Sequence, residues 1–185
     1  MRSLVLVPVV LAIGLAGCSQ STINARAIQK SMEPTIRSGE YIRVDVHAYD
    51  MIEPQVGDIV SLQAPANAEF ERCAVRRRRE QPCPRSALAL TEHYLIKRIV
   101  AGPGQRVSIN KEGRARVDGL LQEESFIIPC RIVDLCRLKQ TMTVAPAHYF
   151  VLGDNRPYSS DSRDWGPVPK KAIEGLVTPP DPSRR

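Results

Sequence analysis

Short runs of alternating or wholly apolar residues, separated by turn residues, are the feature that most restricts how this chain can fold. Residues 41–46 alternate apolar and polar side chains, which is typical of a strand with one buried face. Further strand signals lie at 59–62, 93–100, 106–109, 115–119 and 149–152. Residues 110–113 have the composition of a hairpin turn. The 15 prolines and 11 glycines in 185 residues favour many turns, so the pattern predicts one mainly β domain.

The N-terminus has the composition of an export signal. Arg2 precedes an apolar run over residues 4–17, shorter than the about 20 residues that a spanning helix needs. Its length and small-residue end indicate a secretory signal peptide. Leu15-Ala16-Gly17-Cys18 also resembles the lipobox of bacterial lipoproteins, in which the cysteine is lipidated; an uncleaved signal anchor is the alternative. We expect a signal peptide over 1–17, lipidation at Cys18 and a polar tether over 18–30.

The remaining four cysteines form two local pairs. Cys73 lies near Cys83, and Cys130 lies near Cys136. In an oxidising compartment such pairs predict two short disulfides. A zinc site is the alternative, but neither pair has the two-to-four-residue spacing of common zinc motifs. Residues 64–89 are rich in Pro, Ala and Arg, and we expect a surface insertion closed by the first disulfide. We expect no metal or other cofactor.

The charge and the histidines exclude some functions. A net charge of +6 fits a surface near anionic lipid and equally an ordinary basic protein. No nucleic-acid partner is expected, because no recognised module is present and no aromatic residues alternate with the arginines. His47, His93 and His148 lie in or beside strands without the pattern of a Ser-His-Asp triad. Any catalytic base is therefore expected to be a residue other than histidine.

Two segments carry groups that could act together. Pro34 stiffens the residues that follow Ser31 and keeps them out of a helix, which can hold the serine hydroxyl exposed; a plain turn is the alternative. Lys97 shares a strand face with Leu95 and Ile99. Apolar surroundings favour the neutral amine, which can take a proton from a serine hydroxyl. A lysine that extends its ammonium to water is the alternative.

Four segments in one order resemble the boxes of type I signal peptidases, the S26 family of Ser/Lys serine peptidases. They are Ser31-Met32-Glu33-Pro34-Thr35-Ile36, Gly57-Asp58-Ile59-Val60, Lys97-Arg98-Ile99-Val100 with Gly102-Pro103-Gly104, and Pro146 with Tyr149-Phe150-Val151-Leu152-Gly153-Asp154-Asn155-Arg156, Ser159 and Asp161-Ser162-Arg163. The resemblance implies packed antiparallel sheets and a peptidase domain over 31–177. The prolines at 179, 180 and 182 predict a disordered tail over 178–185.

The resemblance also implies residue roles. Ser31 would be the nucleophile, Lys97 the general base, and Ser159 the hydroxyl that orients the lysine amine. The Ser31 N–H would form the oxyanion hole with Gln29, which stands where many members have a serine or threonine. Three apolar residues would shape pockets for small substrate side chains: Met32, Ile36 and Ile96. Four charged residues would hold the loop in ion pairs: Asp154, Asp161, Arg98 and Arg163.

The implied function is a membrane-tethered endopeptidase that cleaves signal peptides or leader segments of exported proteins after small residues. Its partners would be a preprotein substrate and membrane lipid, and the chain is expected to be a monomer on the extracytoplasmic face of a membrane in the cell envelope. The lipobox at Cys18 would make it an atypical member. Two alternatives stay open: a self-cleaving or single-substrate Ser/Lys peptidase, and a non-catalytic lipoprotein that uses the fold for binding.

Overall fold

The computed structural model describes residues 21–68, 73–76, 81–131 and 136–181. The expected signal peptide and Cys18 lie outside the described residues. Within these ranges, eleven strands form two antiparallel sheets. The larger sheet has the order β1-β2-β11-β3-β4-β9-β10, and its members are β1 (Thr22–Arg26), β2 (Tyr41–Asp45), β3 (Ile59–Pro65), β4 (Leu90–Ala101), β9 (His148–Leu152), β10 (Val168–Pro169) and β11 (Ile173–Thr178).

The smaller sheet packs beside the larger one and has the order β7-β6-β5-β8. Its members are β5 (Arg106–Ile109), β6 (Ala115–Val117), β7 (Leu120–Leu121) and β8 (Leu138–Thr143). Helical structure among the described residues is confined to α1 (Ser162–Trp165) and two single 3₁₀ turns, Arg156–Tyr158 and Lys170–Ala172. The prediction of a mainly β fold with packed antiparallel sheets is confirmed.

Each strand signal in the sequence coincides with an observed strand, and the hairpin turn at 110–113 joins β5 to β6. The structure differs from the expected tether over 18–30, because residues 22–26 form a strand, β1. This strand pairs with β2 along its whole length, from Thr22 opposite Asp45 to Arg26 opposite Tyr41. Backbone hydrogen bonds to β2 satisfy this polar segment, so it needs no apolar face of its own. The first residue of the predicted tail, Thr178, is the last residue of β11. Residues 182–185 of that tail lie outside the described part of the chain.

The long strand β4 connects the layers of the core. Its C-terminal residues Val100 and Ala101 pack with Phe150 and Val107 between the two sheets. On the opposite side of the larger sheet, Trp165 of α1 packs in a second cluster that includes Val60, Leu62, Ile99, Tyr149 and Val151. Burial of a large apolar side chain contributes about 1.5–3 kcal/mol, so these clusters hold the centre of β4 in a fixed position.

Both expected disulfides are present. Cys73 is bonded to Cys83, and Cys130 is bonded to Cys136, with Cα atoms 5.4 and 6.3 Å apart. The first closes a segment between β3 and β4, where the insertion was expected. No helix within the described ranges is long and apolar enough to cross a bilayer.

Candidate active site

Ser31 lies in a tight turn that follows β1. The turn is closed by hydrogen bonds from Glu33 N to Lys30 O and from Ile36 N to Met32 O, and it contains a cis peptide bond before Pro34. Met32 and Ile36 are buried in an apolar cluster with residues of β2, β3 and β11. These two side chains anchor the turn, so the position of Ser31 is determined by the core beneath it.

Lys97 lies near the middle of β4 and is almost completely buried, with 1% of its surface exposed. Its Nζ donates a hydrogen bond of 2.9 Å to Ser31 Oγ. Burial lowers the pKa of the Lys97 amine to about 8, against an opposing effect of the Asp161 carboxylate and with a further lowering effect of Arg163. An amine with a pKa of about 8 is neutral in about one molecule in ten at pH 7 and in about half of the molecules at pH 8. It can therefore accept the serine proton.

Two ion pairs hold the loop after β9 close to Ser31 and Lys97. The Arg98 guanidinium donates hydrogen bonds to both carboxylate oxygens of Asp154, at 2.9 and 2.7 Å. Asp154 also accepts a hydrogen bond of 2.5 Å from Thr35 in the nucleophile turn. Arg163 binds Asp161 at 2.8 Å through two nitrogens, so it neutralises a carboxylate that is fully buried near Lys97.

Ser159 lies beside the dyad but does not contact it as expected. Its buried Oγ lies near the Asp161 carboxylate, and the Lys97 amine donates to Ser31 instead. The Ser159 side chain packs against Gly153, where an added Cβ would overlap its Oγ and the main-chain oxygen of Ser31. Burial acts to raise the pKa of Asp161, but the charge and hydrogen bonds of Arg163, with a smaller contribution from the nearby Ser159 hydroxyl, outweigh it and lower that pKa.

Two cavities meet at Ser31. The smaller, about 130 Å³, has walls formed by residues 25–29, Ser31, Met32, Ile42, Val44, Ser61, Tyr94 and Ile96. The larger, about 490 Å³, has walls formed by residues 29–31, Ala64, Ala68, His93, Leu95, Lys97, Tyr158 and Ser160. Alternation along β4 explains this division, since residues 94 and 96 point to one cavity and residues 93, 95 and 97 to the other.

Two of the three predicted pocket residues line a cavity at Ser31, and the third does not. Met32 and Ile96 line the smaller cavity, whereas Ile36 is fully buried in the core and lines neither cavity. Ile36 was expected in the pocket wall because it is close to Ser31 in sequence, but the turn directs it inward. Gln29 is exposed and lines both cavities, so its amide is accessible from the space above Ser31.

The sequence analysis missed a buried ion pair behind the site. Arg156 binds Glu124 at 2.7 and 3.2 Å, and both side chains are at most 4% exposed. The same guanidinium donates to the main-chain oxygens of Gly153 and Gly113. It thereby links the active-site loop to the smaller sheet. No local pattern could have revealed a pair 32 positions apart.

The described residues contain no group of three or more His, Cys, Asp or Glu side chains arranged to hold a metal ion. The structure brings together the Ser31 hydroxyl and the Lys97 amine. A buried neutral amine hydrogen-bonded to a hydroxyl, beside an open cavity, is an arrangement suited to nucleophilic acyl transfer.

Comparison with known proteins identifies the family. The family model described as "Signal peptidase, peptidase S26" matches residues 1–180, and the chain therefore belongs to this family. It is 32% identical to thylakoidal processing peptidase 1 of Arabidopsis thaliana, over 78% of this chain and 37% of that protein. It is 31% identical to a probable signal peptidase I of Synechocystis, over 78% of this chain and 63% of that protein. A solved signal peptidase I of Enterococcus faecalis shares 22% identity, covers 68% of this chain and 97% of that one, and has a TM-score of 0.44.

The chain thus spans between about a third and two thirds of the length of these curated relatives.

Proposed function

We propose that this chain is a serine endopeptidase that cleaves signal peptides or leader segments of exported proteins after small residues. The observation that carries the proposal is the hydrogen bond of 2.9 Å from the buried Lys97 amine to the Ser31 hydroxyl. Family membership supports the same chemistry. The two residues are the only buried amine and hydroxyl that form a hydrogen bond with each other within the described part of the chain.

The proposed reaction begins with the hydrogen-bonded pair of Lys97 and Ser31. Neutral Lys97 takes the proton of Ser31 Oγ as the hydroxyl attacks the scissile carbonyl, and the Lys97 ammonium then protonates the departing amine. The Ser31 N–H and the Gln29 amide stabilise the oxyanion of the tetrahedral intermediate. Lys97 next activates the water that hydrolyses the acyl-enzyme. Once Ser31 Oγ is acylated, the Lys97 amine needs another hydrogen-bond partner, and we assign this role to the buried Ser159 hydroxyl.

An unpaired strand edge offers a place for an extended substrate. Among the described residues, β4 pairs with β9 only at Arg98, Ile99 and Ala101, so this edge has no strand partner over the residues before Arg98. A substrate strand added there would pass Lys97 and Ser31. We assign the substrate side chain next to the cut bond to the cavity of about 130 Å³ that Ser31, Tyr94 and Ile96 line.

The setting that we propose is the extracytoplasmic face of a membrane. The two disulfides fit an oxidising compartment, in which exported proteins reside. Lipidation of Cys18 would hold the domain near the bilayer, and a retained signal anchor would do the same. The substrate would then be a preprotein or leader-bearing protein at that surface, bound by a monomer.

Cleavage of a signal-bearing precursor by the purified protein tests the proposal. Ser31→Ala and Lys97→Ala should each abolish cleavage, while Lys111→Ala, which removes an exposed lysine, should leave it unchanged. Full activity in either dyad variant would contradict the assignment. Mass spectrometry of the same samples would reveal self-cleavage as the dominant reaction, and absence of cleavage by the wild type would favour a binding module.

A further inference from the structure

We propose that Asn155 is a positioning residue that sets the direction of the Ser31 N–H, the main-chain donor of the oxyanion hole. This inference rests on the peptidase function proposed above. It arises from one observation: a single side chain and its own backbone bind the carbonyl oxygens on both sides of the nucleophile. Asn155 Nδ2 donates to Lys30 O at 3.1 Å, and Asn155 N donates to Ser31 O at 3.0 Å.

The planarity of the peptide bond converts these contacts into a direction for the donor. In a trans peptide the C=O and N–H vectors point in opposite directions. When Asn155 Nδ2 holds the Lys30 carbonyl, the N–H of Ser31 must point away from Asn155. The turn contributes a second, longer bond of 3.2 Å from Glu33 N to the same oxygen.

The Ser31 N–H remains available in this orientation. It donates to no acceptor within the described part of the chain, and Ser31 lines both cavities of the site. A preorganised donor that has no partner in the free enzyme is what stabilisation of a developing oxyanion requires.

The environment of Asn155 favours a side chain that donates a hydrogen bond. The residue is 3% exposed, and its Oδ1 has no hydrogen-bond partner among the described residues. An unpaired buried oxygen is destabilising, so the side chain is not an optimal solution for packing alone. Its Nδ2 supplies the donor, whereas an aspartate would place a carboxylate oxygen against the Lys30 carbonyl.

The loop that carries Asn155 is held from behind. Arg156 Nε donates to Gly153 O at 3.0 Å, and Arg98 binds Asp154. Gly153 permits this close approach, because a Cβ there would overlap the main-chain oxygen of Ser31. The position of the Asn155 amide relative to Ser31 is therefore determined by contacts independent of the substrate.

A comparison of matched ester and thionoester substrates separates this role from a merely structural one. In a thionoester the developing charge resides on sulfur, which is larger than oxygen and accepts weaker hydrogen bonds. An intact oxyanion hole therefore favours the ester, and a misdirected N–H reduces that preference. Both substrates are hydrolysed by the same folded fraction, so the ratio of their kcat/KM values does not depend on how much of a variant folds.

The experiment uses the full chain with a peptide ester and thionoester that end in alanine. Asn155→Ala should lower kcat/KM for the ester by about 10- to 100-fold. This range lies between the effect of losing one ordinary hydrogen bond and the effect of losing a donor of the oxyanion hole. The loss for the thionoester should be smaller. Asn155→Asp, whose side chain has nearly the same size, should lower kcat/KM for the ester further than Asn155→Ala does. The pH dependence should keep its midpoint near 8, because Asn155 makes no hydrogen bond to Lys97.

Thr35→Val is the matched control, because it removes a hydrogen bond to Asp154 in the same loop without touching the Lys30–Ser31 peptide. It should keep the wild-type ester preference even if it lowers the melting temperature. An unchanged preference in both Asn155 variants would overturn the inference while leaving the peptidase intact. Failure of the wild type to hydrolyse the ester, or hydrolysis by Ser31→Ala, would overturn the proposed function and the inference with it.

Discussion

The Lys97 amine donates a hydrogen bond of 2.9 Å to the Ser31 hydroxyl, although the two residues are 66 positions apart in the chain. A turn anchored by Met32 and Ile36 presents the serine, and the central strand β4 presents the lysine. Both residues are buried, with Lys97 at 1% and Ser31 at 7% exposure. The predictions that follow depend on this pair and on the groups that surround it.

The pH dependence of cleavage should report the Lys97 amine. Burial lowers its pKa to about 8, so kcat/KM should rise with pH to a midpoint near 8, since the neutral amine is the active form. The negative charge of Asp161 raises this pKa, so Asp161→Asn should move the midpoint to lower pH. Steady-state rates between pH 6 and pH 10 would measure both, and a midpoint that moves upward in the variant would contradict the assignment.

Burial of Lys97 should also be visible in stability. The amine titrates near pH 8 in the folded chain and near 10.5 when unfolded. Below pH 8 both states are protonated, so the folded state bears the whole cost of a buried charge; this cost disappears as pH rises from 8 to 10.5. A difference of 10.5 minus about 8 corresponds to about 3 kcal/mol.

Lys97→Met should therefore be more stable than the wild type by about 3 kcal/mol at pH 7, and this advantage should vanish near pH 10.5. Urea unfolding of both proteins at several pH values measures the difference. A constant difference across this range would show that Lys97 has an ordinary pKa in the folded state.

Gly153 should not tolerate a side chain. A Cβ at this position would overlap Ser159 Oγ and the main-chain oxygen of Ser31. Gly153→Ala should therefore cost about 1–3 kcal/mol of stability through overpacking, together with most of the activity, because the nucleophile turn is displaced. Gly102→Ala is the control, since its nearest neighbour would be 3.7 Å away. Equal behaviour of the two variants in thermal unfolding and cleavage would disprove the close approach.

The Arg156–Glu124 pair should be strongly coupled. Glu124→Leu alone leaves the Arg156 guanidinium buried without its carboxylate, which should cost about 3–5 kcal/mol. Changing Arg156 to Met and Glu124 to Leu together should cost much less than the sum of the single changes. Urea unfolding of the four proteins in this double-mutant cycle gives the coupling energy. Additive losses would show that the pair contributes nothing beyond its separate residues.

The strands could be predicted from sequence because their alternation is a local property. Residues 41–46 and 93–100 carry it clearly, and alternation also placed Lys97 on the face that it occupies. Strand β1 was missed because four of its five residues are exposed and its pairing depends on β2, fifteen or more positions away. Local pattern carries no information about such a partner.

The candidate site was predictable to the extent that it depends on recognisable segments. Ser31, Lys97 and the Arg98–Asp154 pair lie together in the structure, and the roles that the resemblance gives them stay predictions. The contacts of Asn155 and the direction of Ile36 depend on how turns orient side chains in three dimensions. Spacing along the chain does not determine that orientation.

The most direct test of the central claim is the reaction of Ser31 with a serine-directed acylating probe, located and quantified by peptide mass spectrometry. We expect the wild type to be modified at Ser31 at a rate that rises with pH to a midpoint near 8, and Lys97→Met to remain unmodified under the same conditions. Modification of Ser31 at the same rate in Lys97→Met would contradict the claim that the buried lysine activates this serine.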